Sequence, residues 1–179
     1  MRGGRRRRPK PIVQTKHRRD VRSRCVQAVA VGVACWLSIG GSAAAAENLT
    51  LASGLSFTDD SSDAFPIRGD RLADADIDSG RPTVVFFGAS HCWNTNREAE
   101  RLVALYPKFH DRVRFIVVDV NHPSAAQRPL LQTHYRGSIP TLVIFAANGA
   151  VLYSRAGETA ATRGDTSVLD RLIGSAVGG

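Results

Sequence analysis

One short run, Thr83–Phe87 (TVVFF), restricts the folds available to this chain more than any other feature. Gly80 and Pro82 precede the run and Gly88 follows it, so turn-forming residues border it on both sides. Apolar residues do not alternate with polar ones along it, which is typical of a strand that is buried on both faces of its sheet. We therefore predict a small α/β sandwich built around this strand.

The segment that follows this strand, Asn94–Phe109, has the periodicity of a helix. Its apolar residues recur at the spacing of one helical face, and we expect that face to pack on the sheet. The charged residues are expected to lie on the outer face, in water. The apolar set is Ala99, Leu102, Val103 and Tyr106, and the charged set is Arg97, Glu98, Glu100 and Arg101.

Further along the chain, the pattern changes to a strand and then to a second helix. Val113–Val120 is another run of the buried type. Residues 121–123 are expected to cap a helix that Pro129 interrupts, because proline lacks the N–H group of a helical hydrogen bond. Beyond it, Thr141–Ala146 and Ala150–Ser154 flank an Asn-Gly dipeptide, which favours a tight hairpin turn.

The two ends of the predicted domain differ in character. At the C-terminal end, Asp165 is placed to cap a last helix. The complete order predicts two parallel strands joined by a crossover helix, followed by an antiparallel hairpin. Before the domain, residues 47–80 are interpreted as a lead-in segment, with a short strand at Leu49–Leu51 and a short helix over Arg71–Asp78.

Positive charge is confined to the N-terminal end of the chain. Residues 1–24 hold eleven Lys and Arg against one Asp, a net charge of +10, whereas residues 47–179 hold thirteen Lys and Arg against fifteen Asp and Glu, a net charge of −2. The two values add to the +8 of the whole chain. Since the predicted domain is mildly acidic, its composition argues against nucleic-acid binding.

The basic residues are followed by an uncharged run, Val26–Ile39, and then by small residues that end at Ala46. This order is typical of an export signal, so residues 1–46 are interpreted as a signal cleaved near Glu47 or as a membrane anchor. The 21 uncharged residues 26–46 would roughly span a bilayer as a helix if they were not cleaved. Either form predicts that residues 47–179 lie in the periplasm or another extracytoplasmic compartment.

The chain has three cysteines. Cys25 directly precedes the uncharged residues 26–46, and Cys35 lies within them. Residues 47–179 therefore hold Cys92 alone, so we predict no disulfide within them. An unpaired thiol in an oxidising compartment is unusual, and it is either reactive or buried. The five histidines form no chelating pair with a cysteine or with each other, and no metal site is predicted.

Three segments of the chain resemble the thioredoxin-like family: PTVVFFGASHC (82–92), RVRFIVVDVN (112–121) and GSIPTLVIFAANGAVL (137–152). The resemblance covers residues 81–177, within a predicted domain at 81–179, and implies an α/β thioredoxin-like three-layer sandwich, with a central mixed β-sheet and flanking helices. It also implies a cis peptide bond before Pro140, beside the active-site sulfur, and matches a glycine of the family at Gly157.

The sequence departs from the family's redox motif, Cys-x-x-Cys. Cys92 keeps the first position, but Thr95 stands at the second, and His91 replaces the Trp that commonly precedes the motif. Phe86 stands where thioredoxins have a buried Asp, and Val117 falls near the place of its partner Lys. Without a second thiol, a mixed disulfide at Cys92 must wait for an outside thiol, so the resemblance implies monothiol thiol–disulfide exchange.

Cys92 is the predicted nucleophile of this exchange. It precedes a helix, where unpaired N–H groups and the helix dipole stabilise a thiolate. Thr95 is expected to donate a hydrogen bond to the sulfur, and His91 is expected to add positive charge when it is protonated. The predicted partners are protein thiols or disulfides, with glutathione as a candidate, and no cofactor is predicted. The predicted substrate-binding residues are Trp93, Ile139, Pro140 and Thr141.

Two other functions are compatible with the same residues. Cys92 could be an inert, small apolar residue, which would leave the surface around Trp93 and Pro140 as a non-catalytic partner-binding module. Ala89–Thr95 also resembles the Ala-Ser-x-Cys-x-x-Thr nucleophile segment of glutathione peroxidases, although no downstream Trp-Asn-Phe segment accompanies it. That resemblance would imply a thiol peroxidase.

Overall fold

The computed structural model describes residues 46–77 and 80–179. The predicted signal or anchor, with Cys25 and Cys35, lies outside the described residues except for Ala46. Within the described ranges, no helix is both long enough and apolar enough to cross a membrane. The elements are β1 (Glu47–Leu51), β2 (Ile67–Asp70), β3 (Thr83–Gly88), α1 (Trp93–Phe109), β4 (Arg114–Asp119), α2 (Arg128–His134), β5 (Thr141–Phe145), β6 (Val151–Ala156) and α3 (Ser167–Val177).

The central sheet has the strand order β4-β3-β5-β6. Strand β3 pairs in parallel with β4 and antiparallel with β5, and β5 pairs antiparallel with β6. Every residue of β3 is buried, as predicted from its uncharged run. The predicted crossover and hairpin are therefore both confirmed.

Helices cover the two faces of this sheet and give the molecule three layers. On one face, Phe86 packs with Leu102 of α1 and Ile173 of α3. On the other face, Phe87 packs with Leu130 of α2. This arrangement of elements confirms the α/β thioredoxin-like fold.

The lead-in segment is folded against the domain rather than extended away from it. Strands β1 and β2 form an antiparallel pair, and the predicted strand at Leu49–Leu51 is part of β1. Ala46 is buried, and its N–H group donates to the C=O of Phe115 at 3.3 Å. Strand β2 has no counterpart in the sequence prediction.

The helix predicted over Arg71–Asp78 is wrong for the described part of that range. Residues 71–73 form a turn, and 74–77 have no regular structure. Arg71 has a φ of +59°, which a right-handed helix does not allow. Asp74 and Asp76 instead turn towards the buried guanidinium of Arg114, with ion-pair distances of 3.7 and 3.2 Å. This long-range attraction outweighs the weak local preference for a helix.

The predicted start of the second helix at residues 121–123 is also wrong. Turns follow β4, where the carboxylate of Asp119 accepts the N–H group of Asn121 at 2.9 Å. Helix α2 begins only at Arg128, so Pro129 lies in its first turn. An N–H group there has no partner within the helix, so Pro129 starts the helix instead of interrupting it.

Candidate functional site

Cys92 lies at the junction between the central strand and the first helix. Residues 89–92 follow β3, Cys92 is the N-cap residue of α1, and its side chain is partly exposed. Its C=O group accepts the N–H of Asn96 at 3.1 Å. The junction is tight at Gly88, where an added Cβ would lie 2.6 Å from the Cγ2 methyl of Thr95. Gly88 therefore allows the first turn of α1 to pack directly on the end of β3.

The segment that contains the predicted cis-proline lies at the same end of the sheet as Cys92. Thr141 pairs with Phe87 at the end of β3, and the Ile139–Pro140 peptide bond that precedes it is cis, as predicted. Pro140 is buried and Ile139 is partly exposed. The hydroxyl of Thr141 donates to the C=O of Ser138 at 2.6 Å, so it is engaged within its own segment.

The two side chains predicted to support the sulfur are placed differently from expectation. Thr95 is buried, and its hydroxyl has no hydrogen-bond partner among the described residues, so the predicted bond to Cys92 is not formed. His91 is exposed at a φ of +54°. Its Nδ1 atom lies 3.7 Å from a carboxylate oxygen of Asp63, so a protonated ring would face that carboxylate.

A loop of the lead-in segment supplies polar groups to this junction. A carboxylate oxygen of Asp60 accepts the N–H group of Trp93 at 2.9 Å, and the C=O group of Ser62 accepts that of His91 at 2.9 Å. The carboxylate of Asp60 thus occupies the helix end where the N–H groups were expected to stabilise a thiolate. Hydrogen bonds from Ser61 and then Ser56 hold the pKa of the neighbouring Asp59 carboxyl below its usual value.

Asn96 fixes this loop to the helix. Its side chain is fully buried, and its amide group donates to the C=O of Ser56 at 2.6 Å and to the hydroxyl of Ser62 at 2.9 Å. Neither Asn96 nor Asp60 was predicted as a site residue from the sequence. The run TDDSSD (58–63) is rich in helix-capping residue types, but the residue that Asp60 contacts is 33 positions away. Only the folded chain brings the two together.

The second turn of α1 contains a buried ion pair, which corrects the predicted outer face of this helix. Glu98 and Arg101 were expected in water, but both side chains are fully buried and their charged groups lie 2.9 Å apart. Thr159 donates to Glu98 through its N–H at 3.0 Å and through its hydroxyl at 2.9 Å. The connection between β6 and α3 thus covers a helix face that the sequence pattern alone marks as solvent-exposed.

Arg101 joins the same connection through further contacts. It donates to Glu158 at 2.7 Å and to the C=O groups of Ala160 and Thr162, each at 3.1 Å. Arg97 lies 3.3 Å from the same carboxylate of Glu158 and is itself only partly exposed. Two carboxylates and two guanidinium groups therefore balance in charge. We call Glu98, Arg101, Glu158 and Arg97 the ionic cluster.

A groove of about 550 Å³ is lined in part by Trp93, the residue next to Cys92. The guanidinium of Arg97, another lining residue, lies 5.2 Å from the centre of the Trp93 ring. The lining residues are Trp93, Asn94, Arg97, Arg155, Glu158, Thr159, Ala160 and Ala161. Of the predicted substrate-binding residues, Trp93 lines this groove, whereas Ile139, Pro140 and Thr141 are not among its lining residues.

Residues that could hold a metal ion do not cluster in the described ranges. No group of three or more His, Cys, Asp or Glu side chains is close enough there to form such a site. His122 pairs with Asp119 at 3.1 Å, and His110 lies 3.2 Å from Asp111. These contacts are local pairs on the surface.

Comparisons with known proteins find structural similarity only. No family model matches the chain, and no curated protein matches it in sequence. Oxidised thioredoxin O2 from Arabidopsis thaliana is 21% identical, with a TM-score of 0.45 over 59% of this chain and 83% of that one. The germline-specific thioredoxin Deadhead from Drosophila melanogaster is 20% identical, with a TM-score of 0.43 over 55% of this chain and 83% of that one. Malassezia sympodialis thioredoxin is 23% identical, with a TM-score of 0.43 over 55% of this chain and 76% of that one.

Proposed function

We propose that this protein catalyses thiol–disulfide exchange through Cys92 alone. The observation that carries the proposal is the position of the thiol: it is partly exposed at the N-cap of α1, close to the end of β3, where Phe87 pairs with Thr141. Thiols at helix N-termini are the ones that proteins activate as nucleophiles. Cys92 has no cysteine partner among the described residues.

The exchange has two steps that balance without a net change of oxidation state. The Cys92 thiol loses its proton to solvent and attacks one sulfur of a disulfide, forming a mixed disulfide while the other sulfur leaves as a thiolate and takes up a proton. An outside thiolate then attacks the sulfur of the bound partner, which restores the Cys92 thiolate and releases a new disulfide. The second step requires a thiolate that attacks the mixed disulfide. The buried hydroxyl of Thr95 cannot take this role.

The surrounding residues have separate roles in this proposal. Trp93, Ile139 and Pro140 form the surface on which an extended segment of the partner lies. His91 adjoins Cys92 and supplies positive charge there when its ring is protonated, and the carboxylate of Asp63, 3.7 Å from its Nδ1 atom, offsets part of that charge. The partners are protein disulfides or mixed disulfides, and glutathione is a candidate for the outside thiol.

Reaction of Cys92 with oxidised glutathione tests the proposal, in a chain with Cys25→Ser and Cys35→Ser so that one thiol remains. We expect a mixed disulfide detected by intact mass, and reduced glutathione should then remove it and restore the thiol. The same chain with Cys92→Ser is the control. Absence of the mixed disulfide in a folded chain whose Cys92 a small alkylating reagent does reach would refute exchange through Cys92.

A second candidate function is a non-catalytic partner-binding module. Two observations at the residues near Cys92 favour it, because neither stabilises a thiolate. Thr95 donates nothing to the sulfur, and the carboxylate of Asp60 holds the first N–H group of α1. This function predicts that Cys92→Ser still captures the same partners from cell-envelope extracts. Loss of capture with the thiol would show that binding is covalent and would favour exchange.

We also propose that the protein acts outside the cytoplasm, on the basis of the order basic, uncharged and small along residues 1–46. N-terminal sequencing of the protein from a cell-envelope fraction tests this location. The expected result is a chain that starts near Glu47, or an intact chain in the membrane fraction. An intact residue 1 in a soluble cytoplasmic fraction would contradict export.

A further inference from the structure

The groove beside Trp93 carries one guanidinium that no carboxylate of the described residues neutralises. Arg155 lies on the edge strand β6 and is exposed, and its side chain forms neither a hydrogen bond nor an ion pair with any described residue. Other arginines on this side of the molecule are paired. Arg97 and Arg101 belong to the ionic cluster, and Arg163 is paired with Glu100 at 2.9 Å.

The only acidic residue among those that line the groove cannot cancel this charge. The side chain of Glu158 is 13% exposed, and one of its oxygens is already held by Arg101 at 2.7 Å and by Arg97 at 3.3 Å. The two guanidinium groups and one carboxylate of the lining leave a net positive charge. A carboxylate entering the groove would therefore meet Arg155 without displacing an existing pair.

The strand register places Arg155 near the end of the sheet at which Cys92 lies. Ala156 pairs with Thr141, and Thr141 pairs with Phe87 near the end of β3. Arg155 is the next residue along β6, opposite Leu142. Because Trp93 lines the groove and adjoins Cys92, a partner whose cysteine reaches Cys92 would place neighbouring residues over the groove.

Strand β6 also offers backbone groups to an extended partner. It pairs with β5 on one side, and its other side is unpaired within the described part of the chain. Val151 and Leu152, at the far end of the strand, are 50% and 54% exposed. An exposed edge of this kind pairs with extended segments, and the charges beside it decide which segments are accepted.

We propose that the groove selects disulfide partners that carry acidic residues beside their cysteine, and that Arg155 recognises the carboxylate. The inference rests on the proposed exchange at Cys92, because it names the class of partner for that same site. Exposed ion pairs of this kind change affinity modestly, so we expect a preference of about threefold to fivefold over a basic partner at low salt. The preference should weaken at high salt, where exposed charges are screened.

The test uses two cysteine peptides of equal length, one with Asp and one with Lys on both sides of the cysteine, each as a mixed disulfide with 5-thio-2-nitrobenzoate. Release of this coloured thiol by the full chain with Cys25→Ser and Cys35→Ser gives the rate constant for each peptide. We expect the Asp peptide to react faster than the Lys peptide. Arg155→Glu should reverse the order, whereas Arg171→Glu, the same charge change on α3, should preserve it.

Equal rates for the two peptides, or an unchanged ratio in Arg155→Glu, would overturn the proposed selectivity while leaving exchange at Cys92 intact. Release no faster than in Cys92→Ser would instead overturn the proposed function. The groove is then tested without chemistry, by following Trp fluorescence as each peptide, with its sulfur methylated, is added to Cys92→Ser. Tighter binding of the Asp peptide that is lost in Arg155→Glu supports the groove, and equal binding of both peptides contradicts it.

Discussion

The first and second turns of helix α1 differ in whether two side chains of each turn have partners. In the first turn, Cys92 is partly exposed and the buried hydroxyl of Thr95 has no partner among the described residues. In the second turn, Glu98 and Arg101 are fully buried, and their charges are paired at 2.9 Å. Burying a charge is costly unless it is paired, so the second turn depends on its partners to fold. The first turn contains no buried charge, and its thiol is partly exposed.

The largest effect is expected when the pairing in the second turn is broken. Arg101→Met removes one guanidinium and leaves Glu98 buried without its counter-charge, which we expect to lower the free energy of unfolding by about 3–5 kcal/mol. Urea or guanidinium unfolding measures the change. The matched control is Arg71→Met, which removes an exposed pair with Glu47 at 3.2 Å and should cost at most about 1 kcal/mol.

A loss below about 1 kcal/mol in Arg101→Met would contradict this account of the second turn. It would mean that Glu98 becomes protonated or reaches water at little cost. Because Arg101 lies about 2.5 helical turns beyond Cys92, any variant that stays folded should alkylate at Cys92 at nearly the rate of the parent chain.

A smaller effect is expected at the contact between the first turn and the sheet. In Gly88→Ala, the new methyl group would lie 2.6 Å from Thr95 and 2.8 Å from the ring of Phe86. Such overpacking should lower the free energy of unfolding by about 1–3 kcal/mol. Gly174→Ala in α3 is the control, because nothing lies within 4 Å of its added Cβ, and it should stabilise the chain by about 0.5–1 kcal/mol.

Equal stability of Gly88→Ala and the parent chain would show that α1 can move away from β3. The alkylation rate of Cys92 then becomes informative, since the same movement would uncover the thiol. We expect no such movement, because the Thr95 methyl group faces Gly88 with the ring of Phe86 beside it.

The smallest effect is expected from the charge at the helix end. Asp60→Asn keeps an oxygen that can accept the Trp93 N–H group but removes the negative charge near Cys92. A thiolate is then opposed by one charge fewer, so we expect Cys92 alkylation at neutral pH to accelerate about twofold to fivefold and its half-maximal rate to shift to lower pH. Asp59→Asn, on the same loop, should change the rate less because Asp59 bonds to Ser61 instead of α1.

A purely structural role of Asp60 would give a different result. Asp60→Asn would then lower the thermal midpoint without moving the pH profile of alkylation. That outcome would contradict an electrostatic influence of Asp60 on the thiol.

Local patterns were sufficient to predict the central sheet and the position of Cys92. Strand β3 lies in the middle of the sheet, and its uncharged run therefore records its burial directly. The Asn148-Gly149 dipeptide between β5 and β6 likewise predicts the hairpin from adjacent residues. In both places, the residues that decide the structure are neighbours in sequence.

The errors concern residues whose environment is set by distant parts of the chain. Glu98 has the charge of a surface residue, but the segment that covers it contributes Thr159, 61 positions away. Trp93 meets Asp60 across 33 positions, and Arg114 meets Asp76 across 38. Helical periodicity does not predict this burial, because it describes a single helix and not the segments that pack against it.

The central claim is that Cys92 attacks a disulfide and that only an outside thiol completes the exchange. The most direct measurement follows the mixed disulfide of Cys92 with glutathione by intact mass, in the chain with Cys25→Ser and Cys35→Ser. We predict that this adduct persists until reduced thiol is added, whereas Thr95→Cys releases glutathione without added thiol by forming an intrachain disulfide. Failure of Cys92 to form the adduct, or equal persistence of the adduct in Thr95→Cys, would contradict the account.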